Sequence, residues 1–146
     1  MSISGARRVL MSTADTGPPR TEGETMRYLL MIYDQESKWA SLSEEEGAKL
    51  LDEWWAYDDA VTASGVNKGG DALQPVATAT TVRLDDGEVV LTDGPFAETR
   101  EQLGGYYLVE CETLDQAIEA ARGMPHLKTG GCVEVRPVME FERPEG

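Results

Sequence analysis

At 146 residues the chain has the length of one ordinary domain, long enough to bury most of what its unfolded form exposes and too short for two independent cores. Apolar residues make up 40% and charged residues 27%, and no apolar run approaches the roughly 18 residues of a membrane-spanning helix, which excludes an integral helical membrane protein. With 13 Lys and Arg against 27 Asp and Glu, the formal net charge is −14; such a surface repels phosphate backbones, so no direct nucleic-acid binding is expected, and it favours solubility.

Residues 1–25 are rich in Ser, Thr, Gly, Pro and charge and carry no period that would pack a face, so a disordered tail is expected there. A translation start at Met26 would account for the same tail. Arg7 and Arg8 are followed by only Val9, Leu10 and Met11 before Ser12, too short for the apolar region of a signal peptide, and a cytoplasmic location is expected. The folded domain is expected over residues 26–142, with 143–146 as a short C-terminal tail.

Met26 opens the run Arg27-Tyr28-Leu29-Leu30-Met31-Ile32-Tyr33, apolar on both faces as in a central strand covered on both sides. Ser43-Glu44-Glu45-Glu46 fits a capping box, with acids at the positive end of the helix dipole, and predicts a helix start. Leu50, Trp54, Tyr57 and Val61 then recur at helical spacing, flanked by Leu51 and Trp55, up to a stop at Gly65. Tryptophans in such a stripe are core or interface residues, or alternatively stack on a ligand. Residues 78–84 and 89–92 are rich in β-formers around the turn Asp85-Asp86-Gly87, which predicts a hairpin.

Gly104-Gly105 leads into the strand Tyr106-Tyr107-Leu108-Val109-Glu110-Cys111, and Thr113-Leu114-Asp115-Gln116 is a second capping box opening a helix to about Arg122. A last strand is predicted from Cys132 to about Phe141. The order is strand, helix, hairpin, strand, helix, strand: an α+β, ferredoxin-like βαββαβ plan with an added hairpin and helices on one face. In that plan the last strand lies at an edge, where Pro137 is tolerated. The other sheet face lacks a cover, and a second copy of the chain is the simplest one, so a homodimer is expected. Cys111 and Cys132 are too few for a disulfide framework and are expected to be reduced, buried and not bridged to each other, with the first strand between them.

The segment Thr92-Asp93-Gly94-Pro95-Phe96-Ala97-Glu98-Thr99-Arg100-Glu101, followed by Leu103-Gly104-Gly105-Tyr106-Tyr107, resembles the signature of the DGPF-type proteins of the YCII-related family. The resemblance runs from Met26-Arg27-Tyr28 to Val133-Glu134-Val135-Arg136-Pro137. It implies a ferredoxin-like dimer whose two sheets form an α/β barrel with a cleft. The wider family has been proposed to be enzymatic through a His–Asp pair, with a lactone dehalogenase among its relatives. That histidine would fall between Glu44 and Lys49, where this chain has none. DGPF-type proteins are also often encoded beside alternative sigma factors, which implies a regulatory setting.

Candidate site residues follow from residue chemistry. Asp93 before Gly94-Pro95 is either a turn former or a carboxylate held by a rigid loop as a candidate general base. Alternation in the last strand sends Val133 and Val135 to one face and Glu134 and Arg136 to the other. Arg136 is therefore either half of a structural ion pair with Glu134 or Asp93 or the anchor for a small acidic ligand, with Tyr106 nearby. His126, the one histidine in the chain, is a candidate catalytic residue at the cleft edge, although a lone loop histidine is ordinarily solvated. No metal-ligand spacing, phosphate loop or nucleophile elbow is present, so no metal and no cofactor is expected. Two readings remain: an enzyme performing acid–base chemistry on a small organic acid or lactone, and a non-catalytic dimeric small-molecule-binding or regulatory module. The absence of a motif that demands turnover favours the second.

Overall fold

The structure is a computed structural model that describes residues 24–144. The expected N-terminal tail, apart from Glu24 and Thr25, and the last residues of the C-terminal tail lie outside the described residues. Six strands and three helices follow in the order β1 (Met26–Asp34), α1 (Glu36–Ala40), α2 (Glu44–Ala63), β2 (Asn67–Ala72), β3 (Thr80–Asp85), β4 (Glu88–Asp93), β5 (Gln102–Cys111), α3 (Leu114–Arg122) and β6 (Cys132–Pro137). Short 3-10 turns stand at Val76–Thr78 and Pro125–Thr129.

The main sheet is antiparallel with order β2-β5-β1-β6, the ferredoxin-like arrangement, and β3-β4 form a separate two-stranded sheet. The second strand of the βαββαβ plan is β2, not a strand of the hairpin. Its sequence, Asn-Lys-Gly-Gly-Asp-Ala, has no β-former, and it pairs only because β5 presents an open edge to it. The hairpin is the added element, and its Asp86 and Gly87 both have positive φ, as a two-residue turn between twisted strands requires.

Both capping boxes form. Glu46 N–H donates to Ser43 Oγ at 3.1 Å while Ser43 N–H donates to Glu46 Oε1 at 3.0 Å, and Thr113 and Gln116 exchange the same two bonds at the head of α3. The last strand stops at Pro137 rather than continuing to Phe141, because proline has no N–H for the ladder; Val138 N–H still reaches Arg27 O at 2.9 Å.

The core lies between one sheet face and the two longer helices. Tyr28, Leu30, Val109 and Cys111 from the sheet meet Tyr57 and Val61 of α2, Ala117 and Ala121 of α3, and Met124. Val133 and Val135 pack against that core, so Glu134 and Arg136 take the opposite face, as alternation requires. On that opposite face Leu29, Met31 and Leu108 are only half-buried. Cys111 and Cys132 form no disulfide and register with opposite ends of β1, at Met26 and Tyr33. Contrary to expectation only Cys111 is buried; Cys132 opens the edge strand and is exposed.

Candidate functional site

A pocket of about 930 Å³ opens between α1, α2 and the β2-β5-β1 end of the sheet, within the roughly 300–1,000 Å³ usual for small-ligand sites. The sheet makes room for it with glycine. Tyr107 points to the helix side, so Gly105 on the same strand and its neighbours Gly70 and Ala72 on β2 occupy helix-side positions too. A Cβ on Gly70 would lie 2.4 Å from Tyr106 O, and one on Gly105 would lie 2.9 Å from Asp71 O. These glycines therefore serve two ends: they let β2 approach β5 closely, and they leave the pocket floor without side chains.

Indole rings form much of the wall. Trp54 and Trp55 come from α2 and Trp39 from α1. Trp54 is held edge-on by Tyr57, with centroids 5.8 Å apart, and stacks on His126 at 5.5 Å and 26°. Tyr57 in turn donates its hydroxyl to Ala120 O at 2.7 Å, and burial, with Asp58 beside it, pushes its pKa up to about 12.

Carboxylates make up the polar part. Asp58 Oδ1 accepts the Tyr107 hydroxyl at 2.7 Å, and Asp71 Oδ2 accepts the Tyr106 hydroxyl at 3.0 Å. Burial, then the bond to Asp58, pushes the Tyr107 phenol well above the usual range, so that hydroxyl remains a donor. Asp34 accepts from Gln35 N–H at 2.8 Å and pairs with Lys38 at 3.1 Å. Glu36 accepts from Val76 N–H at 2.9 Å, which ties α1 to the segment after β2. Among the described residues that line the pocket there is no Lys and no Arg.

The residues singled out from sequence separate into groups. Tyr106 and His126 line the pocket; Asp93, Glu134 and Arg136 do not. His126 is not a solvated loop residue: it is buried, and its Nε2 stands 2.8 Å from Cys132 O. A carbonyl only accepts, so Nε2 carries a hydrogen and donates it to Cys132 O. The ring's Nδ1 is buried and has no partner among the described residues.

Glu134 and Arg136 do form an ion pair, but an exposed one, on the face away from the helices. Met31 of β1 stands between Glu134 and Tyr106 in register, so two strand spacings, about 9–10 Å, separate those two residues. Asp93 ends β4, is exposed, and pairs with Thr80. The following Gly94 has φ of +100°, its N–H donates to Ala79 O at 2.7 Å, and its carbonyl accepts from Thr81 Oγ1 at 2.8 Å, so the Asp-Gly-Pro segment closes the hairpin's open end.

Sequence reasoning missed Trp39, Asp58, Tyr107 and the glycine floor. Two adjacent glycine pairs, Gly69-Gly70 and Gly104-Gly105, were the available signal, because glycine inside a strand marks a close backbone approach. Nothing local marks Asp58 as the partner of a tyrosine far along the chain.

Residues 26–142 match the family model of the YCII-related domain. The chain belongs to the YCII-related family. An uncharacterized protein of Rhizobium meliloti (strain 1021) is 35% identical over 118 residues, which span 80% of this chain and 95% of that protein. No helix among the described residues of this YCII-related protein is long and apolar enough to cross a membrane.

Proposed function

We propose that this YCII-related protein is a cytoplasmic, dimeric small-molecule-binding or regulatory module of the DGPF type, and that its ligand occupies the pocket beneath α1 and α2. One observation carries the reading: a pocket of about 930 Å³ is walled by indoles and floored by glycines. An apolar concavity with few polar groups is the ordinary form of a ligand site. Acid–base turnover by Asp93, His126 and Arg136 acting together finds no support in their placement, since His126 packs on the helix side and Arg136 on the other face. A role for Asp93, Glu134 and Arg136 belongs instead with the second copy, which would cover the half-buried Leu29, Met31 and Leu108 of the open face.

A thermal-shift screen of small organic molecules, followed by tryptophan fluorescence titration of every hit, tests the pocket. Saturable quenching that is lost when Ala72→Trp fills the floor is the expected result, whereas a hit unaffected by that variant would place the site elsewhere. Sedimentation at micromolar concentration tests the dimer; a monomer under those conditions would remove the second copy from the proposal.

A further inference from the structure

The pocket's chemistry goes a step further and, resting on the ligand-binding reading above, names the class of ligand. Four carboxylates, Asp34, Glu36, Asp58 and Asp71, line it, and one of them, Asp34, is balanced by Lys38. With no Lys or Arg among the described lining residues, three negative charges remain without a cationic partner from the wall. The wall's obvious donors are already committed: the Tyr106 and Tyr107 hydroxyls to Asp71 and Asp58, and His126 Nε2 to Cys132 O. Beside the indole N–H groups and the Ser37 and Gln35 side chains, what remains at the wall is acceptors. Asp58 keeps a second oxygen on the helix side, Asp71 turns its carboxylate with Tyr106 to the open face, and the Nδ1 of His126, behind Trp54, is buried with no partner among the described residues.

A ligand suited to the wall's uncompensated carboxylates, Asp58 foremost, brings positive charge and N–H donors. An anion would meet carboxylates with no fork or ammonium to hold it. The faces of Trp39, Trp54 and Trp55 act in the same direction, because an aromatic quadrupole attracts a cation placed over the ring, and indole does so best. The pocket's size leaves room for an apolar body beside the charged head. We infer that the pocket between α1, α2 and the β2-β5 edge binds an organic cation: an amine carried on an apolar or aromatic body. The ammonium sits against Asp58, on the helix side with Tyr107, and the body lies between the indoles.

The test uses the full chain and three probes that differ only in the head group: phenethylamine, phenethyl alcohol and phenylpropionate. Tryptophan fluorescence and calorimetric titration read the binding. The amine is expected to bind at least about tenfold more tightly than the alcohol, with the acid weaker still and the amine's advantage reduced by salt. Asp58→Asn should reduce amine affinity by about tenfold while leaving the alcohol nearly unchanged. Because that variant also disturbs Tyr107, Trp55→Ala is the companion: Trp55 is 59% exposed, so the fold survives its loss, and amine affinity should still fall severalfold. Equal or tighter binding of the alcohol or the acid overturns the cation and leaves the small-molecule pocket standing. Amine binding untouched by both variants overturns the assignment to this pocket. If none of the three probes changes fluorescence or melting temperature at millimolar concentration, both the cation and the pocket reading fall.

Discussion

Adding one methyl group to Gly105 should distinguish a glycine required by close strand approach from one that is merely permitted. A Cβ at Gly105 would stand 2.9 Å from Asp71 O and 3.3 Å from Ala72 Cα, both backbone atoms of β2. Comfortable carbon contacts begin near 3.5 Å, so β2 must move by roughly half an ångström or the ladder must stretch. Overpacking of this kind costs about 1–3 kcal/mol, and the reduced freedom of the unfolded chain returns about 0.4–1 kcal/mol. Gly105→Ala is therefore expected to lose about 1–2 kcal/mol net. Gly47 in α2 is the control: a methyl group added there would meet nothing within 4 Å, so Gly47→Ala should gain about 0.5–1 kcal/mol from helix propensity alone. Urea unfolding of the three proteins, with the slope unchanged, measures both effects. If Gly105→Ala is as stable as the wild type, or if the two glycines respond alike, the close approach of β2 to β5 and the origin of the pocket floor are wrong.

Other outcomes follow from the same geometry. Tyr57 has a folded pKa near 12, above its ordinary 10, so its neutral form is favoured by folding; the stability this contributes is whole below pH 10 and is lost as pH rises from 10 to 12. Tyr57→Phe should be about 1 kcal/mol less stable at pH 7, having lost the bond to Ala120 O, yet should show a shallower decline above pH 10; an equally steep decline would refute the assignment. His126→Phe keeps a ring against Trp54 and removes only the donor to Cys132 O, so a loss of about 1–3 kcal/mol in chemical unfolding is expected, and unchanged stability would show that the bond contributes nothing. Burial, then Glu101, holds the Cys132 thiol above its usual range, so alkylation at pH 8 should be slower than for free cysteine despite its exposure, and Cys111 should react only on unfolding. Thiol counting on the denatured, unreduced protein should find both cysteines as thiols; a bridged monomer would contradict the strand order.

Features set by neighbouring residues were legible in the sequence. Each capping box needs only residues three apart, the Asp-Gly turn needs only two, and alternation alone sorts Val133 and Val135 from Glu134 and Arg136. Features set by distant partners were not. β2 has no local reason to be a strand, and α1 has only five residues, too few for a visible period; Gln102 Oε1 accepts from Glu36 N–H at 3.0 Å, and Val76 donates to the Glu36 carboxylate. The two elements the sequence hid are the two that, with α2, enclose the pocket.

The same contrast explains why the candidate site shifted from one sheet face to the other. Tyr106 and Tyr107 are adjacent, so the strand must send them to opposite faces, and sequence alone does not say which of the two joins the helices. Register decides it. Tyr107 opposes Leu30, whose side chain is fully buried, while Tyr106 opposes Met31 on the open face. Once Tyr107 is on the helix side, Gly105 must be there as well, and an edge strand as poor in side chains as β2 leaves a hollow that α1 and α2 border. Glycine is tolerable at that place because β2 pairs on one side only, so its weak strand propensity is not multiplied through a second neighbour. The hollow and the edge thus have one origin. It lies in the pairing of Gly70 with Tyr107 and of Ala72 with Gly105, and filling either glycine should cost the fold and the pocket together.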